Sequence, residues 1–262
     1  MTGAVEGILA HADYFLLMLI RVGGLIISSP IYGRVNIPNI VKICFVFAVN
    51  YLLFLSFPQT VDITYSSLLE FILLCASEFL IGVSMAFIMN IFFSLVSYTA
   101  GQLIDMQIGF GIVSVYDAQN NTQAPVMGNI LNLMLLLVFF STDCHLTLIE
   151  MIYLTIQRMP IGTLVFSPGI GLLALELFGK AFALGVMMAL PLIASGLTIE
   201  IAFGVLMRAV PQIHMFVVGV PLKMIVGLLL FVVTMPVYGN FSTRILNDMF
   251  SGMTRMFATF TG

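Results

Sequence analysis

The chain has 262 residues, of which 61% are hydrophobic and only 8% are charged, and its formal net charge is −3. Soluble domains carry about 25% charged residues, so this composition excludes a monomeric water-soluble enzyme. The basic residues are scattered singly from Arg21 to Arg255 and form no basic face, which excludes nucleic acid as a partner. The mean hydropathy of +1.15 predicts a protein that lies in a bilayer or is shielded by neighbouring subunits.

Six long apolar segments follow one another along the chain, and we predict that each is helical. A helix of about 20 apolar residues crosses a bilayer, so two segments are too long for one crossing and one is too short. The short segment is expected to extend past Asp143 to Ile156, as a hairpin or bent pair that ends near Arg158 and Pro160. The predicted fold is all-α, with membrane-type helical hairpins, some of them kinked. The segments span residues 14–31, 40–57, 68–100, 126–140, 172–207 and 215–237.

The first segment lacks a preceding basic region and a cleavage site, so we interpret it as a retained helix and not as a signal peptide. Proline is expected near segment ends, where a missing N–H does least harm. Pro191 is the exception, since it lies inside the fifth segment and is expected to kink it. The carbonyl freed there would need Ser195 or a neighbouring helix as its partner. The prolines near predicted ends are Pro30, Pro38, Pro58, Pro125, Pro160, Pro168, Pro211 and Pro236.

Ionisable side chains occur within or at the edges of these segments, where an unpaired charge costs at least ~2.5 kcal/mol. Glu176 and Lys180 are one helical turn apart with the acid first, so we predict that they pair. The others need partners from other helices or chains, or else they form a proton relay. We favour structural pairing, because no segment clusters acidic and histidine residues as a pump does. The set is Arg21, Glu70, Glu78, Glu176, Lys180, Glu200 and Arg208.

Small residues recur at four-residue spacing in three of the segments. Such spacing lets two helix backbones approach closely, so it predicts packing faces and not chemistry. The stripes are Gly24 with Ser28, Gly82 with Ala86, and Ala181 with Gly185 and Ala189.

The sequence contains no catalytic or metal-binding pattern. His11, His145 and His214 are far apart, and the three cysteines have no C-x-x-C spacing. Asp143, Cys144 and His145 are adjacent, which suits a helix-connecting turn better than a nucleophile and base that must face each other. We therefore predict no enzyme activity, no metal and no cofactor.

Residues 101–125, GQLIDMQIGFGIVSVYDAQNNTQAP, interrupt the apolar pattern with glycines, acids and amides. From the residues alone, the favoured interpretation is an ordinary loop that connects two helices outside the membrane.

Three blocks of sequence carry a family resemblance that reverses this preference. The first is Arg21 followed by Pro30 and by IPNIVKI at residues 37–43, and the second is QLIDMQIGF at residues 102–110. The third, RAVPQIHMFVVGVPLKM at residues 208–224, is the most specific. With these blocks the chain closely resembles, over essentially its whole length, the FliR family of flagellar export-gate proteins, called SctT in virulence type III secretion systems. The third block favours the flagellar branch.

The resemblance implies one subunit of a closed helical pore ring. Its partners would be the FliP and FliQ subunits, FlhB, FlhA, membrane lipid and unfolded export substrates. Its location would be the bacterial inner (cytoplasmic) membrane, in the flagellar basal body. The resemblance implies no catalytic role, so the energy for export would come from partners.

In the family, a loop of this subunit plugs the closed pore, and residues 106–123 match that loop. Glycines supply unusual backbone angles there, apolar side chains can dewet a constriction, and the polar run can face a water-filled lumen. The predicted plug residues are Met106, Gly109, Phe110, Gly111, Ile112, Val113, Val115, Tyr116 and Asp117. Inter-subunit or buried polar roles are predicted for Arg21, Glu78, Gln102, Asp105, Gln107, Glu200, Arg208, Gln212 and Lys223.

We predict a single export-gate domain over residues 1–262. It comprises N-terminal helices at 1–100, the plug loop at 101–125, helical hairpins at 126–237 and a C-terminal tail at 238–262.

The rival prediction is a secondary transporter, in which Pro191 marks a broken helix and Glu200 or Glu78 binds a coupled ion. No convincing repeat relates residues 1–130 to residues 131–262, which argues against it. A membrane-embedded enzyme is a more distant alternative.

Overall fold

The computed structural model describes residues 11–57, 65–110, 125–162, 169–209 and 218–261. These residues form α-helices, π-helical turns and their connections, with no strand among them, which confirms the predicted all-α class. The helices are α1 (Ala12–Ser28), α2 (Asn39–Ser56), α3 (Leu68–Asn90), α4 (Val96–Ile108), α5 (Val126–Ser141), α6 (Cys144–Arg158), α7 (Gly169–Ala209) and α8 (Val220–Thr261).

Each predicted apolar segment contains a helix, and several helices are longer than one membrane crossing requires. A π-helical turn, Ile91–Leu95, joins α3 to α4, so the third segment continues to Ile108. The predicted extension of the short segment is confirmed, because α5 is followed by α6 as a bent pair. In the described part of the chain, four helical stretches are long and apolar enough to span a membrane, or five if that pair counts as one span. The four are Asn39–Ser56, Leu68–Ile108, Gly169–Ala209 and Val220–Phe260.

The break between α5 and α6 is a turn at Asp143, which has a left-handed backbone with φ of 54°. Its carbonyl accepts the N–H of Leu146 at 2.9 Å. Cys144 and His145 already belong to α6. The predicted connecting turn is therefore confirmed at Asp143 and ends there.

Two prolines lie inside long helices. Pro191 lies within α7. Ser195 was one expected partner for the carbonyl that the proline frees, one turn earlier in the helix. The Ser195 hydroxyl instead donates to the Leu192 carbonyl at 2.9 Å. Pro236 was expected near a helix end, and this is wrong, because α8 continues to Thr261. The physical reason is packing, since Ile245 and Met249, beyond the proline, are fully buried and hold the chain in helical form. The segment named a C-terminal tail is thus helical in its described part.

The contacts divide the chain into two compact units. Unit 1 comprises residues 1–90, 143–177 and 248–262, and unit 2 comprises residues 91–142 and 178–247. The helices α7 and α8 each contribute one part to each unit. These boundaries follow contacts, whereas the sequence-based division follows changes in composition.

In unit 1, α1 packs against α3 through small residues. A Cβ on Gly24 would lie 3.0 Å from the Phe79 carbonyl oxygen, and one on Gly82 would overlap the Arg21 carbonyl oxygen. Distances this short require glycine, so the predicted packing role of these two stripes is confirmed.

In unit 2, α4 packs against α5 and also contacts α7. The rings of Phe93 and Phe139 meet edge to face at 5.9 Å between centroids, and both are fully buried. A Cβ on Gly185 would lie 2.9 Å from the Thr99 Cβ, so the third small-residue stripe also lies at a helix contact.

Candidate functional site at the base of residues 106–123

The helix that leads into residues 106–123 ends at a glycine. Gly109 has φ of 99°, in the left-handed region, and its N–H donates to the Asp105 carbonyl at 3.0 Å. Glycine adopts this backbone without steric cost and is the usual residue just after a helix. The prediction of an unusual backbone angle is confirmed at Gly109, while Gly111 lies outside the described residues.

A buried carboxylate connects the two ends of this segment. Asp105 is 6% exposed, and its Oδ1 accepts the backbone N–H of Met127 at 3.2 Å. Met127 lies in the first turn of α5, which begins after Pro125 and has no capping side chain of its own. The first amides of a helix lack partners within the helix and favour negative charge, so Asp105 acts as the cap from a distance.

The same two ends also meet backbone to backbone. A Cβ on Gly101 of α4 would overlap the Cα and N atoms of Gly128 in α5, and one on Gly128 would lie 3.1 Å from the Ser97 carbonyl oxygen. The two helices that residues 106–123 connect, α4 and α5, are therefore in backbone contact near this segment.

The end of α4 is contacted on its other sides by α7 and α8. A Cβ on Gly196 of α7 would lie 2.5 Å from Gln107 Oε1, and one on Gly227 of α8 would lie 2.9 Å from Ile108 Cγ1. Gln107 Oε1 is buried and has no hydrogen-bond donor among the described residues. Glycines on both long helices thus make room for the last turn of α4.

An ion pair joins α7 to α8 one helical turn from those two glycines. Lys223 donates to Glu200, and the two side chains are 14% and 42% exposed. Both residues were predicted to be inter-subunit or buried polar residues, and the structure joins them to each other. We call Gly101, Asp105, Gln107, Gly128, Gly196, Gly227 and the Glu200–Lys223 pair the base.

The predicted plug residues fall on and beyond the base. Met106 is 61% exposed and Phe110 is half-buried. The remaining predicted plug residues, Gly111, Ile112, Val113, Val115, Tyr116 and Asp117, lie outside the described residues.

A second polar cluster lies in unit 1, around a guanidinium that is 1% exposed. Arg21 Nε donates to Glu78 Oε2 at 2.6 Å, and its Nη1 donates to the carbonyls of Thr155 and Met159 at 3.2 and 2.9 Å. Glu78 is fully buried, and its Oε1 accepts the Gly162 N–H at 2.9 Å. This cluster holds together α1, α3 and the end of α6, which is the structural pairing favoured from the sequence.

The other predicted polar residues have varied surroundings. Gln102 and Arg208 are exposed, and Gln212 lies outside the described residues. Glu70, at the start of α3, accepts bonds from the Ser66 amide and hydroxyl at 2.8 Å each.

Several contacts were missed in the sequence. Glu176 forms a two-bond ion pair with Arg255, at 2.7 Å for each bond, which the sequence did not predict, and its pairing with Lys180 stays a prediction. The contact of Gly101 with Gly128 was not predicted either, although Ser97 and Gly101 have the four-residue spacing noted in other helices. Among the described residues, no three His, Cys, Asp or Glu side chains come together to hold a metal ion.

Comparison with known sequences gives a family match over most of the chain. Residues 12–249 match the family described as bacterial export proteins, family 1. The chain is similar to the flagellar biosynthetic protein FliR of Escherichia coli (strain K12), with 30% identity over 243 residues, 93% of this chain and 92% of that protein. It is also similar to FliR of Bacillus subtilis (strain 168), with 30% identity over 226 residues, 85% of this chain and 86% of that protein. For FliR of Aquifex aeolicus (strain VF5) the identity is 27% over 238 residues, 90% of each chain.

Proposed function

Because the chain belongs to the bacterial export proteins, family 1, the FliR/SctT family of flagellar export-apparatus components, we propose that it is a pore subunit of the export gate. It is a membrane-embedded component, and we place it in the bacterial inner membrane within the flagellar basal body. Residues 1–262 act as a single export-gate domain. Together with FliP and FliQ subunits, it forms a channel through which unfolded substrate proteins pass.

In this proposal, residues 106–123 plug the closed channel. The observation that carries it is the base, where Asp105 caps α5 and Gly101 contacts Gly128, so both ends of the segment are held at one point. A loop with fixed, adjacent ends can fill a lumen and yield to a passing polypeptide while its attachment stays intact. The exposed side chain of Met106 begins the apolar part of this plug.

The long helices supply the surfaces for sister subunits. Large apolar side chains stay exposed along α7 and α8, which a channel assembly would cover. Examples are Leu172, Leu175, Ile201, Val205, Ile225, Val232 and Val233. FliP, FliQ, FlhB and FlhA are the proposed partners. The proposal gives this subunit no catalytic step, so the energy for export comes from partners.

The rival transporter function has less support. It requires a broken helix at Pro191, yet α7 continues from Gly169 to Ala209. It also requires a carboxylate that can bind a coupled ion, but Glu78 pairs with Arg21 and Glu200 pairs with Lys223.

The test is removal of the plug from the full chain in its assembled complex. Deletion of residues 109–121 is expected to raise ion conductance across reconstituted membranes. A second variant replaces those residues with a glycine-serine segment of equal length, which keeps the connection and removes the apolar bulk. The control is Gly171→Ala, on an exposed face of α7 with nothing within 4 Å of the new methyl group. Conductance at the control level in both variants, with the complex intact, would refute the plug role.

A further inference from the structure

A π-helical turn, Ile91–Leu95, lies where α3 continues into α4. In a π-helix each N–H bonds to the carbonyl five residues earlier, and in an α-helix to the carbonyl four residues earlier. The turn therefore contains one residue more than an α-helix of the same path. Turns of this kind are rare and occur frequently at functional sites, so the extra residue calls for a physical reason.

The turn determines which residues of α4 are buried. An α-helix rotates by about 100° per residue, so positions four apart drift by about 40° around its axis. The extra residue of the π-helical turn takes back about 100° of that drift, and buried positions recur at every fourth residue on both sides of it. These positions are Ile81, Met85, Met89, Phe93, Ser97, Gly101 and Asp105.

The base itself does not require the extra residue. A chain that lacked Ser94, the exposed residue of the turn, would continue as an α-helix and bring Gly101 and Asp105 to the same places. What the extra residue provides is a second register for α4. If the turn becomes α-helical, each residue of α4 moves to the place that its successor now holds, by a rotation of about 100° and a rise of about 1.5 Å.

This second register breaks the backbone contact of the base. Ala100 would take the place of Gly101, where a Cβ lies 2.2 Å from the Gly128 Cα. A separation this short is impossible, so α4 and α5 must move apart.

The second register also breaks the helix cap of the base. Asp105 would take the exposed place of Met106, and Ile104 would replace its carboxylate beside the Met127 N–H. An apolar side chain cannot accept that hydrogen bond. Both contacts that hold the two ends of residues 106–123 together would therefore be lost in one step.

The residue that precedes the turn is anchored in unit 1. Asn90, the last residue of α3, donates its Nδ2 to the Ser28 carbonyl at 2.8 Å and to the Ala86 carbonyl at 2.9 Å. The first bond ties the end of α3 to the end of α1. Because this end of α3 is fixed, a change of register in the turn is taken up by α4.

We propose that Ile91–Leu95 is a register switch for the export gate. In the closed gate the π-helical form holds the base, and its conversion to α-helix rotates α4, opens the base and releases the plug. The inference rests on the proposed plug role of residues 106–123. Close-packed contacts have discrete arrangements, so a shift of one residue is sufficient to change between them.

Deletion of Ser94 from the full chain in its assembled complex tests the switch. The deletion removes the second register and keeps the first, so we expect the complex to assemble, to hold ions as the unmodified complex does, and to stop export. Export is measured as the amount of flagellar substrate that cells release into the medium. Removal of residues 109–121 in the same chain should restore ion conductance, because the channel is still present.

Ala100→Gly acts in the opposite direction. It removes the Cβ that would overlap Gly128 in the second register, and we expect the open population to rise by about 5- to 150-fold, with a matching rise in ion conductance. The control is Ala76→Gly at an exposed position of α3, which has the same loss of helix propensity and should not raise conductance. Deletion of Ser94 should abolish the effect of Ala100→Gly.

Normal export after deletion of Ser94 would overturn the switch, as would a leak or a complex that fails to assemble, because the first register would then not be preserved. Equal conductance of Ala100→Gly and Ala76→Gly would also overturn it. Hydrogen exchange in α4, which should slow after deletion of Ser94, reports on the turn without reference to the plug. A leak caused by removal of residues 109–121, together with normal export after deletion of Ser94, would keep the plug and reject the switch.

Discussion

At the residue scale, the buried charges have structural partners. Arg21 and Glu78 share a bond of 2.6 Å; Arg21 also bonds to two carbonyls at the end of α6, and Glu78 to the Gly162 N–H just beyond it. Burying two charges costs several kcal/mol per ion, and their attraction offsets this only with good geometry and further hydrogen bonds. The pair has a short bond and further hydrogen bonds to backbone groups, while Arg21 Nη2 is buried with no hydrogen-bond partner among the described residues. Loss of one partner is expected to cost more than loss of the pair, because it leaves the other charge buried alone.

Removal of the buried acid tests this expectation. Glu78→Ala leaves the Arg21 charge buried without its carboxylate, and we expect a loss of about 3–5 kcal/mol in the free energy of unfolding. The double variant Arg21→Met with Glu78→Met should recover much of that loss. Thermal unfolding of the detergent-solubilised chain, followed by far-ultraviolet circular dichroism, measures both. The exposed acid Glu150 is the control, and equal stability of Glu78→Ala and Glu150→Ala would contradict the prediction.

The carboxylate at the base makes a second residue-scale prediction. Asp105→Ala removes the acceptor of the Met127 N–H, at a cost of about 1 kcal/mol, typical of a lost helix cap. We expect faster hydrogen exchange at the start of α5 and a partial ion leak. Asp105→Asn keeps a carbonyl oxygen at the same place and should show a smaller effect. If alanine and asparagine both behave as the unmodified chain does, Asp105 does not hold the base.

At the element scale, glycine determines how closely the helices approach. In unit 2, Gly101 and Gly128 bring α4 and α5 into backbone contact, while Gly196 and Gly227 accommodate the end of α4 against α7 and α8. Helices in an apolar environment gain little from excluding water, so their association depends on close packing of this kind. A methyl group at such a contact must separate the helices.

Two glycine substitutions distinguish the effect of a close helix contact from the effect of helix propensity. Gly101→Ala is expected to destabilise the chain by about 1–3 kcal/mol, because the methyl group overlaps Gly128. Gly171→Ala in α7 has open space and should stabilise the helix by up to about 1 kcal/mol. Thermal unfolding of the two variants gives the comparison. A stabilising effect of Gly101→Ala would mean that α4 and α5 do not touch as described.

At the scale of the whole molecule, a large apolar surface remains exposed on helices long enough to span a membrane. In the apolar 18-residue window of the span Val220–Phe260, only 11% of the residues are buried within the chain, and in that of Gly169–Ala209 33% are buried. Lipid or sister subunits must cover such surfaces. For a flagellar export component, we expect sister subunits to cover a substantial part.

Purification in mild detergent tests this arrangement. We expect the chain to co-purify with FliP-like and FliQ-like subunits as one complex of constant composition. Substitution of Val232 and Val233, both 65% exposed, by serine should reduce that recovery, since these side chains lie on a proposed subunit surface. The same change at Val35, which is 97% exposed in the connection between α1 and α2, serves as the control. Isolation of the unmodified chain as a lone functional carrier would support the transporter instead.

The order of amino acids alone was enough to establish the class of this protein and the positions of most helices. Its apolar content is compatible with few folds other than a membrane-type helical one. Apolar runs close to the length of a membrane crossing predict helices without knowledge of the groups that pack against them. The bent pair α5 and α6 and the family were also accessible, because both depend on residues that are close in sequence. The prediction was wrong at Pro236, which was expected near a helix end. The helix continues past this proline because later residues such as Met249 are buried.

The contacts between groups that are distant in sequence became known from the folded structure. Glu78 pairs with Arg21, Glu176 pairs with Arg255, and Asp105 caps a helix that begins well downstream. Sequence spacing reports neighbours on one helix, but the partner of a buried charge or a glycine is set by how helices pack. That packing depends on the shapes of all contacting side chains together, so no local pattern encodes it.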